Sequence, residues 1–187
     1  MSILRRISES IVGTKEAIKE KGDIGETDLC KWLGDSGLSY VAVCQARESF
    51  APLFTGEIKR PDFMVLLDSI GLIAVDAKNF DLKEWDGSPC FTLSLQKELL
   101  KAVAFERMFR IPLWYAYRGE DNDNVSWYWI SALKAVEVGV KRDGRHGDFL
   151  TIGLEHFAHV VNPDDMAKLY TQRLPGVSRI AALPVTN

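Results

Sequence analysis

Apolar positions recur through residues 2 to 21, SILRRISESIVGTKEAIKEK, at close to helical spacing, with Ile3, Ile7, Ile11 and Ile18 separated by Arg, Glu and Lys. This predicts an amphipathic helix with a soft point at Gly13. GDIG then punctuates the pattern. ETDLCKWLGDSG predicts a second, short helix with Leu29, Trp32 and Leu33 as its stripe and Gly34 to Gly37 as its end. At residues 38 to 46, LSYVAVCQA, the composition turns β-branched and aromatic and predicts a strand, followed by the loop RESFAPLFTGEIKR.

FMVLLD and GLIAVDAKNF are apolar on both faces over several residues, a pattern of central strands covered by helices. A tight turn from Asp68 to Gly71 joins them, with Gly71 suited to positive φ. The polar DLKEWDGSP predicts a loop. Residues 92 to 110 predict a long helix with Leu95, Leu99, Ala102, Val103 and Phe109 inward, closed by Pro112, and PLWYAYR predicts a strand. GEDNDN predicts a solvated loop; it lacks the central Gly and terminal Glu of a calcium loop. VSWYWISAL and DFLTIGLEHF predict strands flanking the basic turn KRDGRHGD, and PDDMAKLYTQRL, led by Pro163 and two acids, predicts a closing helix. The order helix, three strands, helix, strand implies an α/β fold.

Composition adds limits. The 187 residues, 47% hydrophobic and 26% charged, suffice for one substantial core, so residues 1–187 are expected to form a single domain. MSILRRISES has no apolar leader core and no segment approaches the ~18 apolar residues of a membrane span, which predicts a soluble, cytoplasmic protein. Cys30, Cys44 and Cys90 form no CxxC pair, so neither a disulfide framework nor a zinc ribbon is indicated. The net charge of −3 argues against non-specific coating of nucleic acid, but it is compatible with a site that loads cations.

The candidate chemistry lies in the most apolar part of the chain, where Asp62, Asp76 and Lys78 interrupt the hairpin. Residues two apart on a strand share a face, so Asp76 and Lys78 point the same way. Pairing around the turn sets Asp62 opposite Asp76, or opposite Lys78 if a bulge at Gly71 shifts the ladder; all three share a face in either register. A slip of one residue would separate them. Ionised groups in an apolar setting need compensation. One solution is a structural ion pair of Lys78 with one carboxylate, which leaves the other unpartnered. The second is a hard cation held by Asp62, Asp76 and the Ala77 carbonyl, the oxygen donors that Mg²⁺ favours.

Pro61-Asp62, thirteen residues, then Asp76-Ala77-Lys78 on a hairpin resembles the PD-(D/E)xK, or restriction-endonuclease-like, nuclease superfamily. Glu26, ahead of the first strand, and Gln96, early in the helix after the DxK strand, fit further positions of that pattern, and the resemblance spans about residues 25 to 118. It implies a mixed central sheet with an αβββαβ core, and hydrolysis of phosphodiesters by a metal-activated water, with DNA favoured over RNA as substrate. By the same resemblance Asp62 and Asp76 are metal ligands with Ala77, Glu26 is a supplementary ligand, Mg²⁺ is the cofactor with Mn²⁺ as substitute, and a homodimer is compatible. Lys78 would orient the attacking water or stabilise developing charge, because lowering an amine from about 10.4 by three units costs ~4 kcal/mol and neighbouring carboxylates oppose it. Gln96 would hold the water or a phosphate oxygen. Leu100 stands where one exonuclease-like branch carries Tyr, so that branch is not indicated.

Lys59 and Arg60, directly before the hairpin, and Lys141, Arg142 and Arg145 in the glycine-punctuated turn are the candidates for phosphate contact. Trp127, Tyr128 and Trp129 fit a core strand better than a base-stacking platform. His146, His156 and His159 have no ligand spacing and are read as structural. The alternative function is a non-catalytic nuclease-like module that binds nucleic acid or a protein partner.

Overall fold

The computed structural model describes residues 3–46, 57–68, 70–121, 124–145 and 147–173. Most of the loop expected before the hairpin, His146, and the side chains of Ile3, Ile7, Ile11 and Ile18 lie outside what is described. Helix α1 (Ile3–Asp35) is continuous, where the sequence suggests two helices broken at GDIG. Glycine costs a helix about 1 kcal/mol relative to alanine, a penalty that tertiary packing can override. Here Gly25 has a packing role: a Cβ on it would lie 2.8 Å from Asn79 Cβ. The missing side chain lets α1 lie against the end of the DxK strand.

After β1 (Ser39–Ala42) come β2 (Phe63–Leu67) and β3 (Gly71–Lys78), the expected hairpin. Its turn closes with Ile70 N–H donating to Leu67 O at 3.1 Å and with Gly71 at φ 88°. Then β4 (Lys83–Trp85) and β5 (Ser88–Ser94) form a second hairpin where DLKEWDGSP suggests a loop. Asp86 and Gly87 adopt φ of 53° and 75°, the left-handed pair that a two-residue hairpin turn requires. The helix expected from residue 92 therefore begins later. A wide π-helical turn (Leu95–Leu99) leads into α2 (Leu100–Phe109), which ends at Arg110 in the left-handed region. Leu99, Ala102 and Phe105 form its buried stripe, while Phe109 is exposed and stacks on Phe105.

β6 (Leu113–Asp121) and β7 (Asn124–Ser131) pair from Trp114 opposite Ser131 to Asp121 opposite Asn124, so strand residues enter the GEDNDN segment expected to be a solvated loop. A short helix absent from the sequence reading, α3 (Ala132–Val138), follows, started by Ser131 Oγ accepting from Lys134 N–H at 3.1 Å. β8 (Val140–Arg142), β9 (Phe149–Gly153), β10 (Ala158–Val160) and α4 (Lys168–Arg173) complete the chain, with one-turn 3₁₀ segments before β10 and α4. The segment DFLTIGLEHF is thus strand only as far as Gly153.

The central sheet has six strands in the order β1-β2-β3-β6-β7-β10, mixed because β3 and β6 run parallel. That parallel step needs a crossover, and α2 supplies it. Ignoring the β4–β5 insertion, the elements up to β6 form the αβββαβ core, a mixed sheet flanked by helices. One face, with Phe63, Val65, Ile73, Val75, Trp114, Trp127 and Trp129, packs on Leu29 and Leu33 of α1 and Leu169 of α4. The other face, with Ala74, Tyr115, Tyr117 and Ile130, packs on α2, α3 and a second sheet ordered β4-β5-β9-β8. β3 is central and buried from Ile73 to Asp76 and again at Lys78, while Leu66 of β2 and Leu72, opposite it at the start of β3, are exposed. Among the described residues no helix is long and apolar enough to cross a membrane.

Candidate functional site

The hairpin register decides whether the three charged residues meet. Phe63 faces Val75 and Met64 faces Ala74, and Asp62 N–H donates to Val75 O at 2.9 Å. One step further along that ladder, Asp62 stands opposite Asp76, the first of the two registers allowed by the sequence. Asp62, Asp76 and Lys78 thus share the sheet face that Ala74 turns toward α2. Opposite Ala77 lies Pro61, before β2 begins, and the Ala77 N–H donates instead to Asp62 Oδ2 at 2.8 Å.

Asp76, 2% exposed, is clasped by two lysines: Oδ1 lies 2.7 Å from Lys59 Nζ and Oδ2 lies 2.5 Å from Lys78 Nζ. Both amines also reach Glu98 Oε2, at 2.8 Å from Lys59 and 2.7 Å from Lys78. The result is a closed ring of alternating charges. Lys59 is held there because its N–H donates to Lys101 O at 3.0 Å, fastening the segment before β2 to α2. Lys78 also lies over the buried ring of Tyr115, 5.7 Å from its centroid.

Two more carboxylates face this ring without a lysine of their own. Asp62 is pushed from its ordinary 3.8 up to about 8 by burial and by the charges of Asp76 and Glu26, which Lys59 and the Ala77 N–H offset only in part. Glu26 is raised in turn, by burial and then by Asp76 and Asp23. Asp76 moves the other way: burial opposes its ionisation, but Lys78 and Lys59 outweigh it and hold the carboxyl below its ordinary value. For Lys78, burial pulls the amine down and Asp76 and Glu98 more than restore it, so it stays protonated. Burial, Asp76 and Glu98 likewise keep Tyr115 neutral. Four carboxylates, Glu26, Asp62, Asp76 and Glu98, thus face two amines, Lys59 and Lys78, and at neutral pH the raised Asp62 keeps its proton because no amine balances its charge.

That excess and the all-oxygen donor set suit a hard divalent cation. Among the described residues, however, no three acidic, imidazole or thiol side chains are gathered closely enough to hold one as they stand. Lys59 and Lys78 take both oxygens of Asp76, so a cation at Asp76 requires one lysine to give way.

Of the other anticipated residues, Glu26 is brought to the cluster by the seating of Gly25 on Asn79. Gln96 is exposed and lies beside the turn before β9, where a Cβ on Gly147 would be 3.5 Å from its Oε1. Glu98, two residues on, is the side chain that meets Lys78, and the sequence reading passed over it. A signal was present: Leu95, Glu98, Leu99 and Ala102 follow the i, i+3, i+4, i+7 spacing of a buried stripe, so a carboxylate interrupted it. Lys59, a candidate for phosphate contact, is part of the ring.

Arg60 Nη1 donates to Gln45 O at 3.3 Å. Lys141 pairs with Asp148 at 2.7 Å, and Arg142 pairs with Asp86 at 2.5 Å and lies over Trp85. Arg145 is exposed. Leu95 N–H donates to Asp148 O at 2.9 Å, which anchors this basic turn to the start of the π-helical turn. Trp127 and Trp129 are buried in the core as expected, while Tyr128 stacks on His159 with centroids 4.4 Å apart.

No protein-family model and no curated protein matches this chain. Among solved structures, it is similar to Hjc, a Holliday junction resolvase from the archaeal hyperthermophile Archaeoglobus fulgidus, at 17% identity, over 71% of this chain and 84% of that one, with a TM-score of 0.42.

Proposed function

We propose that this chain is a metal-dependent nuclease of the PD-(D/E)xK type that hydrolyses phosphodiester bonds, DNA in preference to RNA, with Mg²⁺ or Mn²⁺ as cofactor. The observation that carries the reading is the placement of Asp62 opposite Asp76 beside a protonated Lys78, in a cluster with two more carboxylates than amines.

Asp62, Asp76 and the Ala77 carbonyl would hold the ion, with Glu26 as a supplementary ligand. The bound ion would supply Lewis acidity toward a phosphoryl oxygen and make water more acidic near neutral pH. The remaining work falls to the chain's own groups. Lys78, kept charged by Asp76 and Glu98, donates to the phosphoryl oxygens as negative charge grows on them; it does not remove a proton. Glu98 orients that amine. Lys59, released from Asp76 yet still within reach of Glu98, presents a second positive charge to the substrate. Tyr115, neutral and buried beneath Lys78, limits water on the sheet side.

The test is Mg²⁺- or Mn²⁺-dependent cutting of plasmid, single-stranded and branched DNA and of RNA by wild type, Asp76→Ala and Lys78→Ala. Wild type is expected to cut, and both variants to lose activity by a factor of at least about 10². Equal cutting by the variants would reject the site. One observation favours the second reading, a non-catalytic binding module: Asp76 is already neutralised by Lys59 and Lys78. Under that reading neither cation raises the melting temperature and no substrate is cut.

A further inference from the structure

The chain leaving β3 opens directly onto a cleft of about 320 Å³ whose lining includes Phe80, Asp81, Leu82, Arg118, Gly119 and Tyr128, with Asp81 paired to Lys21 at 2.6 Å. Phe80 and Leu82 are 47% and 48% exposed, an apolar rim that no other element covers among the described residues. The floor is aromatic. Phe91 packs beneath, 4.5 Å between centroids from Tyr117 and 5.8 Å from Tyr128, and Phe80 stands 6.4 Å from Tyr117. Gly119 allows this surface to form, since a Cβ there would come within 2.5 Å of Tyr128 Cε2. At the edge, Arg118 is fixed by its ion pair with Asp28 at 2.7 Å.

The aromatic side of the cleft lies on the same sheet face as the charged cluster, because Tyr117, opposite Lys78 in the parallel ladder, and Tyr128, opposite Tyr117, both belong to that face, whereas Asn79 and Arg118 turn to α1 and bond Lys21 O and Asp28. Phe80 follows Lys78 by two residues, about 7 Å along extended chain.

Resting on the nuclease reading, we propose that this cleft is a stacking subsite for an unpaired nucleobase of the strand whose phosphate lies at Asp62, Asp76 and Lys78. Flat apolar rings suit the face of a base and the restrained Arg118 guanidinium suits its edge, and a base tethered to a phosphate at Lys78 is within reach of them. A paired base cannot enter without leaving its stack, so the subsite favours single-stranded or junction-bearing substrates over continuous duplex.

The experiment compares wild type, Phe80→Ala and Phe80→Trp, with folding checked by circular dichroism and melting temperature. The probes are a short DNA strand carrying 2-aminopurine and the matching duplex, both measured with Ca²⁺ present and any cutting monitored. Phe80→Ala is expected to weaken single-strand binding about ten-fold, to leave duplex binding unchanged and to remove the 2-aminopurine quenching. Phe80→Trp is expected to retain both affinity and quenching. Unchanged binding by Phe80→Ala, or equal weakening toward strand and duplex, overturns the subsite. The nuclease reading is judged separately by Lys78→Ala: if that variant is inactive while Phe80→Ala binds as wild type, only the subsite fails.

Discussion

Replacing Asp62 by asparagine removes the charge that the cluster accommodates worst, and the variant should be more stable than wild type in alkaline, metal-free buffer while losing activity. The substituted amide keeps an oxygen to accept from the Ala77 N–H, which lies 2.8 Å from the Asp62 carboxylate, and offers an N–H₂ toward the neighbouring acids. The magnitude follows from the carboxyl's displacement from 3.8 to about 8. A folded-state value above the unfolded one means that the native state binds the proton more tightly, so stability is full below pH 3.8 and declines until the pH has passed about 8. Between about pH 6 and 9 the loss is at most ~3 kcal/mol. Solvent screening at a carboxyl that is not fully enclosed reduces it to ~1–2 kcal/mol. For a chain of this size that corresponds to roughly 3–6 °C in melting temperature. Thermal melts of variant and wild type in EDTA at both pH values measure it. Wild type should lose stability with rising pH and Asp62→Asn should not; Mg²⁺ at the higher pH should raise the melting temperature of wild type alone. A variant that follows the wild-type slope, or melts below wild type at about pH 9, would refute the electrostatic account.

Lys59→Met frees Asp76 Oδ1 from its 2.7 Å contact, so calorimetry should show tighter Mn²⁺ binding than wild type; weaker binding would mean that the lysine does not compete with the ion. Glu98→Gln removes the carboxylate shared by both lysines. Breaking a buried charge network typically costs ~3–5 kcal/mol, reduced here to ~1–3 by the partial exposure of Glu98; denaturant unfolding measures it, and an unchanged midpoint would show the ring to be incidental. Gly25→Val forces a side chain into the 2.8 Å gap at Asn79 and should cost ~1–3 kcal/mol. Because α1 then shifts Glu26, the Mg²⁺ concentration for half-maximal cutting should rise.

The amino-acid sequence determined the local half of the site. A two-residue strand period places Asp76 and Lys78 on one side whatever surrounds them, and the Gly71 turn left only registers that add Asp62 to the same side. A run apolar on both faces likewise marked β3 as central, and alternating aromatics on a strand marked Trp127 and Trp129 as core, where both are buried. Even the β4–β5 hairpin was announced by Asp86-Gly87, whose left-handed pair is a turn signal outweighed by the polar residues around it.

Only the tertiary structure decided what balances those charges. Glu98 comes from a π-helical turn after an inserted hairpin, and Lys59 from a segment tied to α2 by one backbone hydrogen bond. Neither distance follows from spacing along the chain. GDIG shows the same division: as a local pattern its glycines break a helix, whereas in the fold the absent Cβ of Gly25 is what brings α1 and Glu26 to the end of β3. Short-range geometry depends on backbone periodicity and can be read from residue order, but charge compensation depends on which distant elements pack together, and that is settled when the core closes.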